Sequence, residues 1–140
     1  MYLLDTNTVS NYLDKRRSFP QLKHKILSTP PELIFISIIT VEEIIRGSLA
    51  IIQKQKQKSS IADAYKYFEE LFEALHYFQI LPYTNEAEQI YQSLSAKVKR
   101  IGTQDCRISA LANSKEYIVV TANLADFEKI GIAQVEDWTI

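Results

Sequence analysis

The chain has 140 residues, 46% apolar, 11% aromatic and 24% charged, which suits one domain that folds without covalent staples. A single cysteine, Cys106, excludes an intrachain disulfide framework and a multi-cysteine zinc site. His24 and His76 are too far apart in sequence to suggest a histidine metal site. Sixteen basic and 17 acidic side chains leave a net charge of −1, unlike a small domain that lives on non-specific phosphate contacts.

The opening MYLLDTNTVS has no basic region of the kind that starts a secretory signal, and no apolar run approaches the roughly 20 residues of a membrane span. The expectation is a soluble cytoplasmic protein with no membrane contact.

In chain order, Tyr2-Leu3-Leu4 is a short apolar run that stops at Asp5-Thr6-Asn7, a cluster of helix-capping types. Val9, Tyr12 and Leu13 then keep helical spacing. Pro20 opens a second helix that ends before Pro30-Pro31. Leu33 to Ile38 reads as a buried strand. Thr40-Val41-Glu42-Glu43 matches a capping box, predicting a helix through Ile44–Ile52, and the alternating Gln/Lys run 53–58 reads as a turn or solvated helix end.

Ser59 or Ser60 caps a helix carrying Tyr65, Phe68, Leu71, Phe72 and Leu75, its Tyr65, Phe68, Phe72 stripe most simply core, or in part a groove for a second copy or a partner protein. Tyr77 to Leu81 reads as a strand. Asn85 caps a helix that ends near Lys97, Lys99 and Arg100, and Thr103 caps one reaching about Asn113. Tyr117 to Thr121 is the clearest buried strand; Asn123 caps a short helix closed by Gly131, and Val135 to Trp138 forms a last strand. Strands alternating with helices predict a three-layer α/β/α domain over residues 1–140 with a central, mostly parallel sheet.

Four acids fall at equivalent places. Asp5 follows the first strand, Glu43 and Asp126 lie at the starts of helices that follow strands, and Asp105 lies in the first turn of the helix opened near Thr103. Each alone has an ordinary explanation as a cap or a helix-dipole partner. Together at one sheet edge, where ligands collect in open α/β folds, they repel one another unless a cation intervenes. A carboxylate set without His or Cys suits a hard cation such as Mg²⁺ or Mn²⁺, and such a site supports phosphodiester hydrolysis.

The motifs resemble a known family. Leu3-Leu4-Asp5-Thr6-Asn7, Ser37-x-x-Thr40-x-x-Glu43-x-x-x-Gly47, Gly102-x-x-Asp105-x-x-Ile108-x-Ala110 and Thr121-x-Asn123-x-x-Asp126-Phe127, with Val135-x-x-Trp138 after it, resemble in order the motifs of PIN-domain ribonucleases. The chain is most similar to the compact toxins of VapBC-type toxin–antitoxin pairs. The resemblance implies a Mg²⁺- or Mn²⁺-dependent endoribonuclease acting on RNA, often a homodimer, and inhibited by a cognate antitoxin protein.

Matched by position, the resemblance implies Asp5, Glu43, Asp105 and Asp126 as the catalytic, metal-binding quartet, and Thr6, Asn7, Thr121 and Asn123 as the residues that orient carboxylates, water or phosphate. Glu42 and Glu43 diverge by about 100° on a helix, so only one faces the site, and both the Gly47 spacing and Thr40 choose Glu43.

Two other readings stand beside this one. A haloacid-dehalogenase-like phosphohydrolase would also follow its first strand with Asp, but needs a second Asp where this chain has Asn7 and a lysine that is not evident. A PIN-like scaffold would bind RNA or protein without cutting.

Overall fold

The computed structural model describes residues 1–140. Five short strands, β1 (Tyr2–Leu4), β2 (Ile34–Ser37), β3 (Gln79–Leu81), β4 (Ile118–Val120) and β5 (Val135–Glu136), form one parallel sheet in the order β3-β2-β1-β4-β5. The chain builds outward from β1 to β3, then crosses back to β4 on the other side of β1. Strand order therefore reverses at β1/β4, and a crevice opens there beyond the carboxyl ends.

Alternation along β1 assigns its side chains to opposite cores. Leu4 joins Ile36, Val120, Val9, Leu22, Ile44 and Leu71 under α1 (Thr6–Leu13), α2 (Pro20–Ser28), α3 (Ile38–Gln55) and α4 (Ile61–Leu75). Leu3 joins Val119, Ala87, Ile108, Leu111 and Phe127 under α5 (Asn85–Ser93), α7 (Thr103–Lys115) and α8 (Leu124–Ile130). Both leucines are fully buried, and the two cores give the three layers expected from the alternation of elements.

Several boundaries differ from expectation for identifiable reasons. The helix after β2 starts at Ile38, because Ser37 itself caps it by accepting from the Ile39 N–H at 3.0 Å. Thr40 and Glu43 therefore lie inside the helix and form no capping box. Thr84 rather than Asn85 caps α5, its hydroxyl accepting from Ala87 N–H, and Gly102 rather than Thr103 occupies the cap position of α7. Ser95 caps a separate four-residue helix, α6 (Ala96–Lys99), so the basic residues at 97–100 do not belong to α5.

β5 stops at Glu136, and Trp138 instead packs edge-on against Tyr2, ring centroids 4.8 Å apart. The stripe on α4 is not core: Tyr65 is 57% and Phe72 52% exposed, while Ala64, Leu71 and Leu75 supply the buried face.

Helix α7 ends on Glu116 in the left-handed region, φ 59°, where a side chain is strained and glycine is not. Glu116→Gly is expected to raise stability by about 1 kcal/mol in denaturant titration, since the relieved strain exceeds the added backbone entropy of glycine.

Candidate active site

The carboxyl ends of β1, β2 and β4 bring the first, second and fourth acidic motifs to one edge. Asp5 directly follows β1, and its N–H continues the ladder to Val120 O at 3.0 Å. Its side chain caps α1, accepting from Thr8 N–H at 2.8 Å on Oδ1 and from the Thr121 hydroxyl at 2.7 Å on Oδ2. The carboxylate is 2% exposed, so these two donors replace the water it has lost. Thr121 is held in turn: its Oγ1 accepts from Asn123 N–H at 2.9 Å.

Glu43 reaches across from α3 to α1, where the Thr6 hydroxyl donates to its Oε1 at 2.6 Å. Thr6 also lies 3.1 Å from the Thr40 hydroxyl. Glu42 turns elsewhere, pairing with Arg46 at 2.6 Å, so of the adjacent acids only Glu43 faces Thr6. Asp126 accepts from Asn123 Nδ2 at 2.8 Å, so Asn123 steadies both Thr121 and Asp126. Asn7 is exposed at the rim and joins none of these bonds.

Asp105 enters from α7, on the opposite layer from Glu43. Burial and the neighbouring charges of Asp5, Glu43 and Asp126 push its carboxyl up from the ordinary 3.8 to about 6. All four acids therefore share one electrostatic neighbourhood. A Cβ at Gly102 would meet Asp105 Oδ2 at 3.6 Å, ordinary contact, so that glycine leaves this carboxylate little crowded.

A donor set of carboxylates and hydroxyls, with Asp105 half-buried among three like charges, is chemically suited to a hard divalent cation. As placed, no three of the groups grip a common point. Asp5, just past β1, and Asp105, on α7, are the acids nearest in kind to sharing a cation, and Glu43 and Asp126 belong to the same neighbourhood by their effect on Asp105. Cys106, next to Asp105, is fully buried and donates to Val98 O at 3.4 Å, away from the acids.

Two features escaped the sequence reading. Thr8 supplies both a backbone donor to Asp5 and a hydroxyl bond to Val120 O at 3.1 Å. Thr40, read as a cap, belongs to the hydroxyl chain to Thr6; a helix starting at Ser37 is the signal that would have placed it on the inner face.

The raised Asp105 carboxyl has a signed consequence. Its protonated form favours folding fully below about pH 4, and that contribution is lost as pH rises through about 6. In chelator, Asp105→Asn is therefore expected to melt above wild type at pH 7–8, the gap closing toward pH 4 in thermal unfolding followed by circular dichroism.

Comparison with known proteins supplies the family. The PIN domain model matches residues 2–133. The tRNA(fMet)-specific endonuclease VapC of Salmonella typhimurium is 26% identical, the alignment covering 98% of this chain and 97% of that protein. Ribonuclease VapC2 of Haemophilus influenzae is 30% identical over 98% of this chain and 97% of the relative.

Among solved structures, FitAcB from Neisseria gonorrhoeae superposes with a TM-score of 0.79 at 24% identity, covering all of both chains. DNA-bound VapBC from Salmonella typhimurium gives 0.75 at 23% identity, covering 98% and 97%. PIN-domain nucleases generally use divalent metals. With its strand order, its acid-bearing sheet edge and a match spanning nearly its whole length, the chain belongs to the PIN domain family.

Proposed function

We propose that this protein is a Mg²⁺- or Mn²⁺-dependent endoribonuclease that hydrolyses RNA phosphodiester bonds, the toxin of a toxin–antitoxin pair. The observation that carries the reading is the shared field of Asp5, Glu43, Asp105 and Asp126 at the sheet's switch point. Relatives named VapC ribonucleases and structural neighbours that are VapBC complexes support the substrate class and the antitoxin partner. The reading includes a homodimer working in the cytoplasm; no helix is long and apolar enough to cross a membrane.

A divalent cation bound here supplies positive charge and Lewis acidity for in-line attack of water on the phosphodiester. The chain's own part is to hold and orient. Asp5 is immobile between Thr8 and Thr121 and fixes one side of the centre. Asp105, free of restraining hydrogen bonds, closes the other. Thr6 and Asn123 each occupy one oxygen of Glu43 and Asp126, leaving the second free to accept another partner. Asn7, at the open rim, offers its amide to an incoming phosphate.

The test is incubation of wild type and Asp5→Asn with a pool of tRNA and structured RNA, with Mg²⁺ or Mn²⁺ and then with excess chelator. Discrete cuts are expected from wild type, and a loss of at least about 100-fold with the substitution, which circular dichroism should show to be folded. Mg²⁺ is expected to raise the melting temperature of wild type and to do so far less for Asp105→Asn. Thr121→Val leaves a buried carboxylate one donor short and should cost roughly 1–3 kcal/mol of stability in denaturant titration, together with much of the activity. Absence of cleavage, with no cation-dependent stabilisation, would overturn the nuclease in favour of a non-catalytic RNA- or protein-binding scaffold.

A further inference from the structure

Beside the acid cluster, α3, α5 and α7 border an open groove of about 390 Å³ lined by Ile39, Glu42, Tyr83, Glu88, Gln104 and Arg107. Glu42 and Gln104 each precede one of the four acids by one residue. Neighbours on a helix diverge by about 100°. Helices α3 and α7 therefore each turn an acid to the cluster and the preceding side chain to the groove. The ridge between the two spaces is the contact from Gln104 Nε2 to Glu42 Oε1, 3.3 Å. An RNA strand whose scissile phosphate lay at the acids would pass this groove with an adjoining nucleotide.

The chemistry of the lining favours a neutral base over a phosphate. The Arg107 guanidinium stacks 4.9 Å above the Tyr91 ring and lies 4.0 Å from Glu88, so its charge is already offset. Two carboxylates, Glu42 and Glu88, repel an anion. Glu88 is taken up by the Tyr83 hydroxyl at 2.8 Å and by Gln92 Nε2 at 2.7 Å. Glu42 is exposed and keeps accepting capacity beyond its bond to Arg46. Gln104 is the adaptable member: it accepts from Arg107 and donates to Glu42, both at 3.3 Å, long enough to yield to a better partner.

Glu42, Gln104 and Arg107 thus lay an acceptor, an amide and a donor fork in a row. We propose that this row reads an unpaired guanine or cytosine next to the bond that is cut. Both bases carry an amino group at one end of the Watson–Crick edge and a carbonyl at the other. The amino group donates to Glu42 and the carbonyl accepts from Arg107. The Gln104 amide turns its oxygen to the ring N–H of guanine, or its NH₂ to the ring nitrogen of cytosine. Uracil sets a carbonyl against the Glu42 carboxylate, and adenine leaves the Arg107 fork without an acceptor. The position beside the cut rests on the nuclease reading; the preference of the groove among bases is measurable without it.

Two measurements separate these. In the first, oligoribonucleotides differing only at the flanking base are cleaved under Mg²⁺ or Mn²⁺. The expected KM with guanine or cytosine is roughly tenfold below that with uracil or adenine. Glu42→Gln should abolish the penalty against uracil, and Arg107→Ala the penalty against adenine, with kcat little changed. In the second, guanosine, cytidine, uridine and adenosine monophosphates are titrated into ¹⁵N-labelled full-length protein in chelator. The first two are expected to shift the Gln104 side-chain NH₂ and Arg107 Nε signals, and the last two are not. Cleavage with equal KM for all four bases, or a ranking that Glu42→Gln leaves intact, overturns the base-reading groove while the nuclease stands. Base-selective shifts without cleavage of any RNA uphold the groove and overturn the nuclease.

Discussion

The buried carboxylate of Asp5 is the constraint around which the rest is arranged. A carboxylate 2% exposed at the edge of two apolar cores is tolerable only if its lone pairs are met by donors. Those donors come from opposite ends of the chain: the Thr8 N–H in the first turn of α1, and the Thr121 hydroxyl just past β4. The parallel pairing of β1 with β4 sets both at the same height, so sheet topology and the solvation of one anion are the same problem. Asn123, by donating to Thr121 Oγ1, orients that hydroxyl toward Asp5 and ties the start of α8 to the arrangement.

The other acids are restrained in graded fashion. Glu43 and Asp126 each have one side-chain donor, from Thr6 and Asn123, while Asp105 has burial and three like charges around it and no partner from the chain. Asp5, met by two donors, is the fixed member, and Asp105 is the one whose charge the chain leaves without a partner. Asp105 stands at the start of α7, a helix whose middle is buried from Ile108 to Ala112 and whose position is secured by packing.

What was legible in the sequence was local. The apolar run ending at Asp5, the continuous apolar character of residues 34–36 and 118–120, and the alternation of strands with helices were enough to predict a parallel sheet with helices on both faces. The divergence of Glu42 and Glu43 was legible from helical geometry, although the capping box invoked for it does not form. What stayed illegible depends on contacts between distant segments. Ser37 displaces Thr40 as cap, because a strand ending on serine starts the helix one turn early. The link from Thr6 to Thr40 and Glu43 joins residues 34 and 37 positions apart, and no spacing rule announces it. The exposure of Tyr65 and Phe72 could not be read from periodicity either: helical spacing marks a face, and only the packing of α3 on α4 decides which face is covered.

The central position of β1 also bears on the order in which the molecule forms. The first strand to be made is the one that ends between two others, and 116 positions separate Asp5 from Thr121. Pairing β1 with β2 joins positions 32 apart in the chain, from Tyr2 to Ile34; pairing it with β4 must await nearly all of the intervening chain, and such distant contacts slow folding. A growing polypeptide thus carries Asp5 from its earliest moments but lacks the hydroxyl that steadies it until Thr121 has emerged. The acid cluster and the native sheet are completed in one late step, and a chain stopped short of β4 has neither.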